Sequence, residues 1–307
     1  MRVIFFGTPE FAIPSLAALL EAGEDVLAVV SQPDKRKGRG KALSPTSVKE
    51  FAINRGIIVL QPANIKDKLF INEVSNLKPE VIVVVAYGKI LPAQILRLPE
   101  YGCINVHASL LPKYRGASPI QWALINGEQK TGITTMLMDE GLDTGDILLQ
   151  KETEIYDDDN AYTLSKRLAE LGASVLIKTI KGVKSRNIKP LPQIGDPSYA
   201  PILKKEDGRI EWSKTAREIF NFIRGMYPWP CAHCYLNKGR LKIIKVRVIE
   251  GSGVPRRVEK TGEEIIVGTG GGLISIIELQ PEGKKPMSAR AFLQGRRIKE
   301  GAFFDEL

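Results

Sequence analysis

The segment INVHASLLPKYRG, residues 104–116, carries one of the two histidines in the chain, placed two residues after an asparagine. On a strand, residues two apart face the same way, so Asn105 and His107 present an amide and an imidazole side by side, about 6.6 Å apart. A second polar cluster, MDEGLDTGDI (138–147), holds Asp139, Glu140, Asp143 and Asp146, bent by Gly141 and Gly145. Folded back, one of these carboxylates joins the amide and the imidazole. That combination serves acyl transfer to an amine. An amine attacking a carbonyl builds an oxyanion, and one fixed N–H donor beside it is worth roughly 10²–10³ in rate. A proton must also leave the attacking nitrogen and another must reach the departing one; a positioned acid or base supplies about 10²–10⁴. Asn105 suits the donor role. His107 suits donor or proton carrier, because histidine exchanges a proton near neutral pH. Asp143 or Asp146 can orient the imidazole and receive a proton directly or through water. The plain alternative for His107 is a buried, hydrogen-bonded core residue. Ser109 makes a poor nucleophile, since H-x-S lacks the G-x-S-x-G turn.

The elements that must position these groups are alternating strands and helices. Strand runs are VIFFG (3–7), VLAVVS (26–31), IIVLQ (57–61), VIVVVAYG (81–88), CINVHA (103–108) and ITTMLM (133–138). Unbroken apolar runs such as VIVVVA fit parallel strands covered on both faces. Between them, FAIPSLAALLEAG has a helical pattern that closes at Gly23. The expected fold is α/β, a doubly wound, mostly parallel Rossmann-like sheet. Asn105 and His107 then lie at the carboxyl end of a strand, beside the ligand crevice of such sheets. The first turn, G-T-P-E-F, has one glycine where a dinucleotide pyrophosphate needs G-x-G-x-x-G, which argues against a nicotinamide dehydrogenase.

Residues 160–182 read as a long amphipathic helix, followed by PLPQIGDPSYAPIL with prolines at 190, 192, 197 and 201, an extended linker. Beyond it, Ala216, Ile219, Phe220 and Ile223 make one helical stripe, and the remainder is rich in strand patterns. The expected organisation is a catalytic domain over 1–189, a Pro-rich linker over 190–205, and a small OB-like β-barrel C-terminal domain over 206–307. Residues 1–200 carry 24 Lys/Arg against 22 Asp/Glu, whereas 201–307 carry 20 against 13, a net of +7 that suits a polyanionic partner. Three cysteines exclude a disulfide framework, and CAHC (231–234) lacks the second pair of ligands that a zinc site needs, so no metal is expected. No apolar run approaches the length of about 20 residues that spans a bilayer. A strand starting near residue 2 leaves no room for a signal or transit peptide, so a cytoplasmic protein without a membrane partner is expected.

N-V-H-A-S-L-L-P-K-Y-R-G with a downstream G-L-D-T-G-D resembles the folate-dependent formyltransferase family. The likeness extends to FFGTPEFA at the start, QPDKRKGRGK at 32–41, VVAYGKILP at 84–92, and L-Q-P-x-G-K-K-x-M-S-A in the second domain, so it covers nearly the whole chain. It implies that Asn105, His107 and Asp143 are the catalytic set, choosing Asp143 over Asp146. It implies that Ser109, Leu110, Leu111 and Pro112 line a folate pocket, with main-chain groups around Tyr87, Gly88, Ile90 and Leu91. The implied donor is 10-formyltetrahydrofolate, and the branch with the best motif match is a monomer acting on the amino group of initiator methionyl-tRNA. Other branches formylate a purine precursor or amino sugars, and a nucleotide-sugar amine is the main alternative substrate. A nucleic-acid-binding protein with an inactive catalytic domain is a third reading, opposed by the complete Asn-His-Asp set.

Two basic features bear on the acceptor. The run DKRKGRGK carries Lys35, Arg36, Lys37, Arg39 and Lys41. Alone it is a solvated loop; the resemblance makes it an insertion that contacts the tRNA acceptor stem, with Arg39 matching a family arginine. An A-form major groove is too deep and narrow for side-chain readout, but a frayed helix end admits a flexible basic loop. In the second domain Lys242, Lys245 and Arg247 on KIIKVRV, and Arg296, Arg297 and Lys299 near the C-terminus, are candidates for holding tRNA phosphates.

Overall fold

Strand β1 (Arg2–Gly7) is the centre of the first sheet because RVIFFG buries five of its six residues. It lies between β2 (Asp25–Val30) and β6 (Val81–Val85), parallel to both, and every residue of VIVVV is buried. The computed structural model describes residues 1–37, 42–237, 239–295 and 298–305, with Arg36, Lys37 and Ala42 described in backbone alone. Its remaining strands up to residue 154 are β3 (Lys35–Lys37), β4 (Ala42–Ser44), β5 (Val59–Leu60), β7 (Cys103–His107), β8 (Arg115–Gly116), β9 (Lys130–Leu137) and β10 (Ile147–Glu154). Helices α1 (Ile13–Glu21), α2 (Ser47–Ile53), α3 (Lys68–Asn76), α4 (Ala93–Leu96), α5 (Pro119–Ile125) and α6 (Ala161–Lys184) alternate with them. The sheet order is β10-β9-β7-β6-β1-β2-β5, the doubly wound, mostly parallel arrangement expected.

Two strands of that sheet depart from the parallel pattern. The run ITTMLM lengthens to β9, which is antiparallel to β7, and β10 is antiparallel to β9. β10 escapes a hydrophobic reading because it is an edge: only Leu148 is buried, and Lys151, Glu152 and Glu154 face outward, as charges guarding a sheet edge do. The polar loop 138–146 therefore connects antiparallel neighbours and folds back over β7. Gly23, at φ +73°, ends α1 as the sequence suggests, with its N–H donating to Leu20 O.

The chain divides into two compact units. The first comprises Met1–Pro119, Lys130–Glu154 and Ser165–Ala200, and the second Ile120–Gln129, Ile155–Leu164 and Pro201–Leu307. Residues 190–200 thus pack with the first sheet. Leu191 exchanges both main-chain bonds with Ile147, and β11 (Tyr199–Ala200) pairs parallel with β8. Prolines remove amide donors at three points of this stretch, and Leu191 and Ser198 donate theirs to Ile147 O and Pro112 O.

The second unit is built on β12 (His233–Leu236), β13 (Gly239–Ile249), β14 (Val258–Thr261), β15 (Ile265–Gly268), β16 (Leu273–Pro281) and β17 (Met287–Ser288), with α7 (Ala216–Met226) and α8 (Ala289–Gly295). Its antiparallel order is β12-β13-β16-β15-β14, with β17 beside β16; among the described residues no pair joins β14 to β12, so the barrel is an open curl. α7 starts at a capping box, Thr215 with Glu218, and turns Ala216, Ile219 and Ile223 into a core with Ile243, Ile274 and Ile276. The C-terminal segment closes that core: Phe304 stacks on Trp212 at 5.5 Å, and Trp212 Nε1 donates to Asp305 Oδ2 at 3.0 Å. CAHC is part of this packing. Cys231 and Cys234 are buried, burial pushes both thiols up, and no group of three metal-binding side chains converges among the described residues.

Candidate active site

Asn105 and His107 stand on one face of β7, near its carboxyl end, with His107 6% exposed. His107 Nε2 lies 2.9 Å from Tyr114 O. A carbonyl only accepts, so Nε2 carries the proton of that bond and Nδ1 is the nitrogen left for proton exchange. Nδ1 is 3.6 Å from Asp143 Oδ2. Asn105 Nδ2 donates to Asp143 Oδ1 at 3.4 Å, and Gly116 N–H donates to Asp143 Oδ2 at 2.8 Å. Amide, imidazole and carboxylate therefore meet. The two long contacts are those a bound substrate can tighten or replace.

Of the four acids in the polar cluster, Asp143 alone has a carboxylate hydrogen-bonded to Asn105. Asp139 caps its own turn, accepting from Thr144 Oγ1 and Gly141 N–H. Glu140 pairs with Arg97 on the surface, and Asp146 is exposed. The loop folds back because Gly145 lies against β9: a Cβ there would sit 1.7 Å from Leu137 O. Asp143 itself adopts φ +52°, a left-handed conformation held by the bonds around it.

The turn after His107 is braced from two neighbouring strands. Thr134 Oγ1 on β9 donates to Ser109 O at 2.7 Å and accepts from Leu111 N at 3.1 Å and from Gln150 Nε2 at 3.0 Å. Gln150 on β10 also donates to Leu111 O at 2.8 Å. Ser109 is fully buried and its Oγ donates to Lys113 O, and Leu111 is buried as well. Leu110 and Pro112 keep partly open side chains. Sequence reasoning missed Thr134 and Gln150; the one available signal was a Thr-Thr pair inside the apolar run ITTMLM. Replacing Thr134 by valine leaves Leu111 N–H buried without its acceptor, which costs about 1–3 kcal/mol. The expected result is a KM for the acyl donor seated on this turn raised about tenfold or more, read by steady-state titration of the donor.

The second expected folate segment follows β6, the strand beside β7. Tyr87 and Leu91 are core residues, whereas Ile90 is 73% exposed. Burial pushes the Tyr87 phenol up to about 12. Its main-chain oxygen accepts from Thr8 Oγ1 at 3.1 Å and from Gln32 Nε2 at 2.7 Å. Gly88, at φ +79°, turns the chain directly over the Gln32 amide.

Of the basic run, the pairing of β3 with β4 brings Lys35 opposite Ser44. Lys35 is exposed. Arg39 and Lys41, and in the second unit Arg296 and Arg297, lie outside the described residues. The base of the hairpin is locked: Lys49 Nζ reaches Asp34 Oδ2 and Gln61 Oε1, each at 2.7 Å, and Gln61 Nε2 donates to Asp34 Oδ1. Hydrogen bonds from Gln61 and then Lys49 hold the Asp34 carboxyl below its usual range. On β13 a bulge between Ile243 and Val246 resets the alternation, so Lys242, Lys245 and Arg247 all avoid the core face occupied by Leu241, Ile243 and Val246. Arg247 is paired with Glu264 at 2.9 Å, and Lys299 is exposed.

Residues 1–180 match the family described as formyl transferase, and residues 202–297 match the formyl transferase C-terminal domain. A methionyl-tRNA formyltransferase from Thermodesulfovibrio yellowstonii is 57% identical over 97% of both chains. One from Caldanaerobacter subterraneus subsp. tengcongensis is 54% identical, over 98% of this chain and 99% of its own. Among solved structures, an N-formyltransferase from Helicobacter canadensis in complex with folinic acid and dTDP-3-aminofucose shares the fold at a TM-score of 0.69 and 23% identity, covering 92% of this chain and 99% of its own. With matching models over both units and an amide, imidazole and carboxylate brought together at the end of β7, this chain belongs to the formyl transferase family.

Proposed function

We propose that the protein transfers a formyl group from 10-formyltetrahydrofolate to the amino group of initiator methionyl-tRNA, giving N-formylmethionyl-tRNA, and that it acts as a cytoplasmic monomer. The observation that carries this reading is the meeting of Asn105, His107 and Asp143 at the carboxyl end of β7, in a chain whose full-length relatives bear that activity in their names. No helix among the described residues is long and apolar enough to cross a membrane. We assign catalysis to 1–189, a connecting role to 190–205 and tRNA holding to 206–307.

The donor supplies a formyl carbon bonded to nitrogen; that bond breaks as one forms to the amine of the methionyl group. Asn105 Nδ2, now 3.4 Å from Asp143, turns its N–H to the oxygen that gains charge. The amine loses one proton and the departing folate nitrogen gains one. His107 Nδ1 carries it, with Asp143 Oδ2, 3.6 Å away, holding the ring in place. The residues present suit a flat aromatic donor: Ile90 and Leu110 offer apolar surface, and Thr134, Gln150, Thr8 and Gln32 fix the backbone turns that would bind polar edges.

Lys35, Arg36, Lys37, Arg39 and Lys41 are assigned to the acceptor stem, and Lys242, Lys245 and Arg247 to tRNA phosphates. Removing Arg39 and Lys41 together is expected to raise the KM for methionyl-tRNA about tenfold or more, to flatten its salt dependence, and to leave donor binding intact. Unchanged tRNA kinetics in that variant would remove the loop from recognition. Offering methionyl-tRNA and a nucleotide amino sugar in one assay tests the acceptor directly: preferential formylation of the sugar overturns the proposal.

A further inference from the structure

Gln193 lies in the extended stretch 190–200, outside both loops that carry the reacting groups, yet it is bonded to one of them. Its Oε1 accepts from Arg115 Nε at 3.1 Å and Arg115 Nη2 at 2.7 Å. Its Nε2 donates to the main-chain oxygens of Asp143 at 2.9 Å and Gly145 at 2.8 Å. A guanidinium only donates and a carbonyl only accepts, so one amide orientation satisfies all four bonds. Glutamate has the length but no donor, and leucine has neither group.

The surrounding strap is tied to both halves of the site. Leu191 is paired with Ile147, just past the Asp143 loop. Ser198 Oγ accepts from Tyr114 N at 2.9 Å, and Ser198 O accepts from Arg115 N at 2.8 Å, in the turn that fixes His107. Asp143 has a non-glycine residue's unfavoured φ of +52°, which neighbouring bonds must hold. Gln193 supplies two of those bonds.

We propose that Gln193, backed by Arg115, is a positioning residue that pins the Asp143–Gly145 backbone so that the Asp143 carboxylate stays on His107 Nδ1 and the Gly116 N–H. This rests on the role given to Asp143 above.

The test is Gln193→Glu in the full chain, which keeps the Arg115 pair and sets a carboxylate against two carbonyls. With methionyl-tRNA and 10-formyltetrahydrofolate, kcat is expected to fall about tenfold to a hundredfold, with both KM values within about threefold of wild type. In an Asp143→Asn background the same change should cost less than about threefold, because residues acting through one group are not additive. Ile194→Ala, 87% exposed on the same strap, is expected to leave kcat unchanged. A readout independent of turnover is amide exchange at Gly116, whose N–H is held by Asp143 Oδ2; it should quicken at least about tenfold in Gln193→Glu and not in Ile194→Ala. Wild-type kcat in Gln193→Glu, an equal loss in the Asp143→Asn background, or unchanged Gly116 exchange would each overturn the proposal. If wild type transfers no formyl group, the role of Asp143 falls, and Gly116 exchange still decides whether Gln193 holds the loop. If Gln193→Glu does not fold, Arg115→Lys, which loses the forked donation, is read by the same two measurements with the same expectations.

Discussion

His107→Ala is expected to lower single-turnover formyl transfer by about a thousandfold, within the roughly 10²–10⁴ that a positioned acid or base supplies. The main-chain oxygen of Tyr114 holds the Nε2 proton, so the ring has one working nitrogen, and it faces Asp143. No other imidazole of the first unit can substitute, since the second histidine, His233, belongs to the other unit. Asp143→Asn should lose about a hundredfold or more: an asparagine can still accept from Gly116 N–H, but it brings no carboxylate to the proton that passes through His107 Nδ1. Methionyl-tRNA binding should be little changed in both variants, because neither side chain is part of the basic surfaces. Labelled donor and rapid quench would read the rates. A His107→Ala enzyme within tenfold of wild type would mean the proton travels by another route.

Gly145→Ala is expected to be nearly as damaging without touching a reacting group. The added methyl would sit 1.7 Å from Leu137 O, a main-chain atom at the end of β9 that cannot rotate away. The backbone of the loop must move, and Leu137 N–H, which donates to Asp146 O at 2.9 Å, moves with it. Asp143 is carried off His107. A displacement of about 1 Å at a reacting centre can cost about a hundredfold in rate. Overpacking of this kind also costs about 1–3 kcal/mol, so the thermal midpoint should fall by several degrees. Gly262→Ala provides the comparison, because nothing lies within 4 Å of its added carbon. Equal activity in the two variants would show that the loop tolerates displacement.

The reading of the sequence reached furthest where local pattern and buried strands coincide. VIVVV and VIFFG could only be covered strands, and Asn105 and His107 followed onto one face by the period of two. The polar cluster MDEGLDTGDI declared a carboxylate near the site, yet spacing alone left Asp143 and Asp146 open. The difference lies in the third dimension: Gly145 presses on β9, Asp143 takes a left-handed φ, and Asp146 points away to solvent. The direction of β9 was hidden for a similar reason, since side-chain period does not record strand polarity. Gln150, Gln32 and Gln193 were silent in the sequence, and Thr134 nearly so, because these uncharged polar residues act through hydrogen bonds to main chain far away in sequence, which no local pattern records. The bulge in β13 was equally silent, although it alone brings Lys242 into line with Lys245 and Arg247.

The most direct measurement is a crystal structure of the protein with a folate donor analogue whose formyl-like carbon cannot be transferred. That carbon should lie beside β7, its oxygen about 3 Å from Asn105 Nδ2, with His107 Nδ1 and Asp143 on the side the amine must approach. An analogue bound with its reactive carbon remote from all three side chains would take formyl transfer away from Asn105, His107 and Asp143.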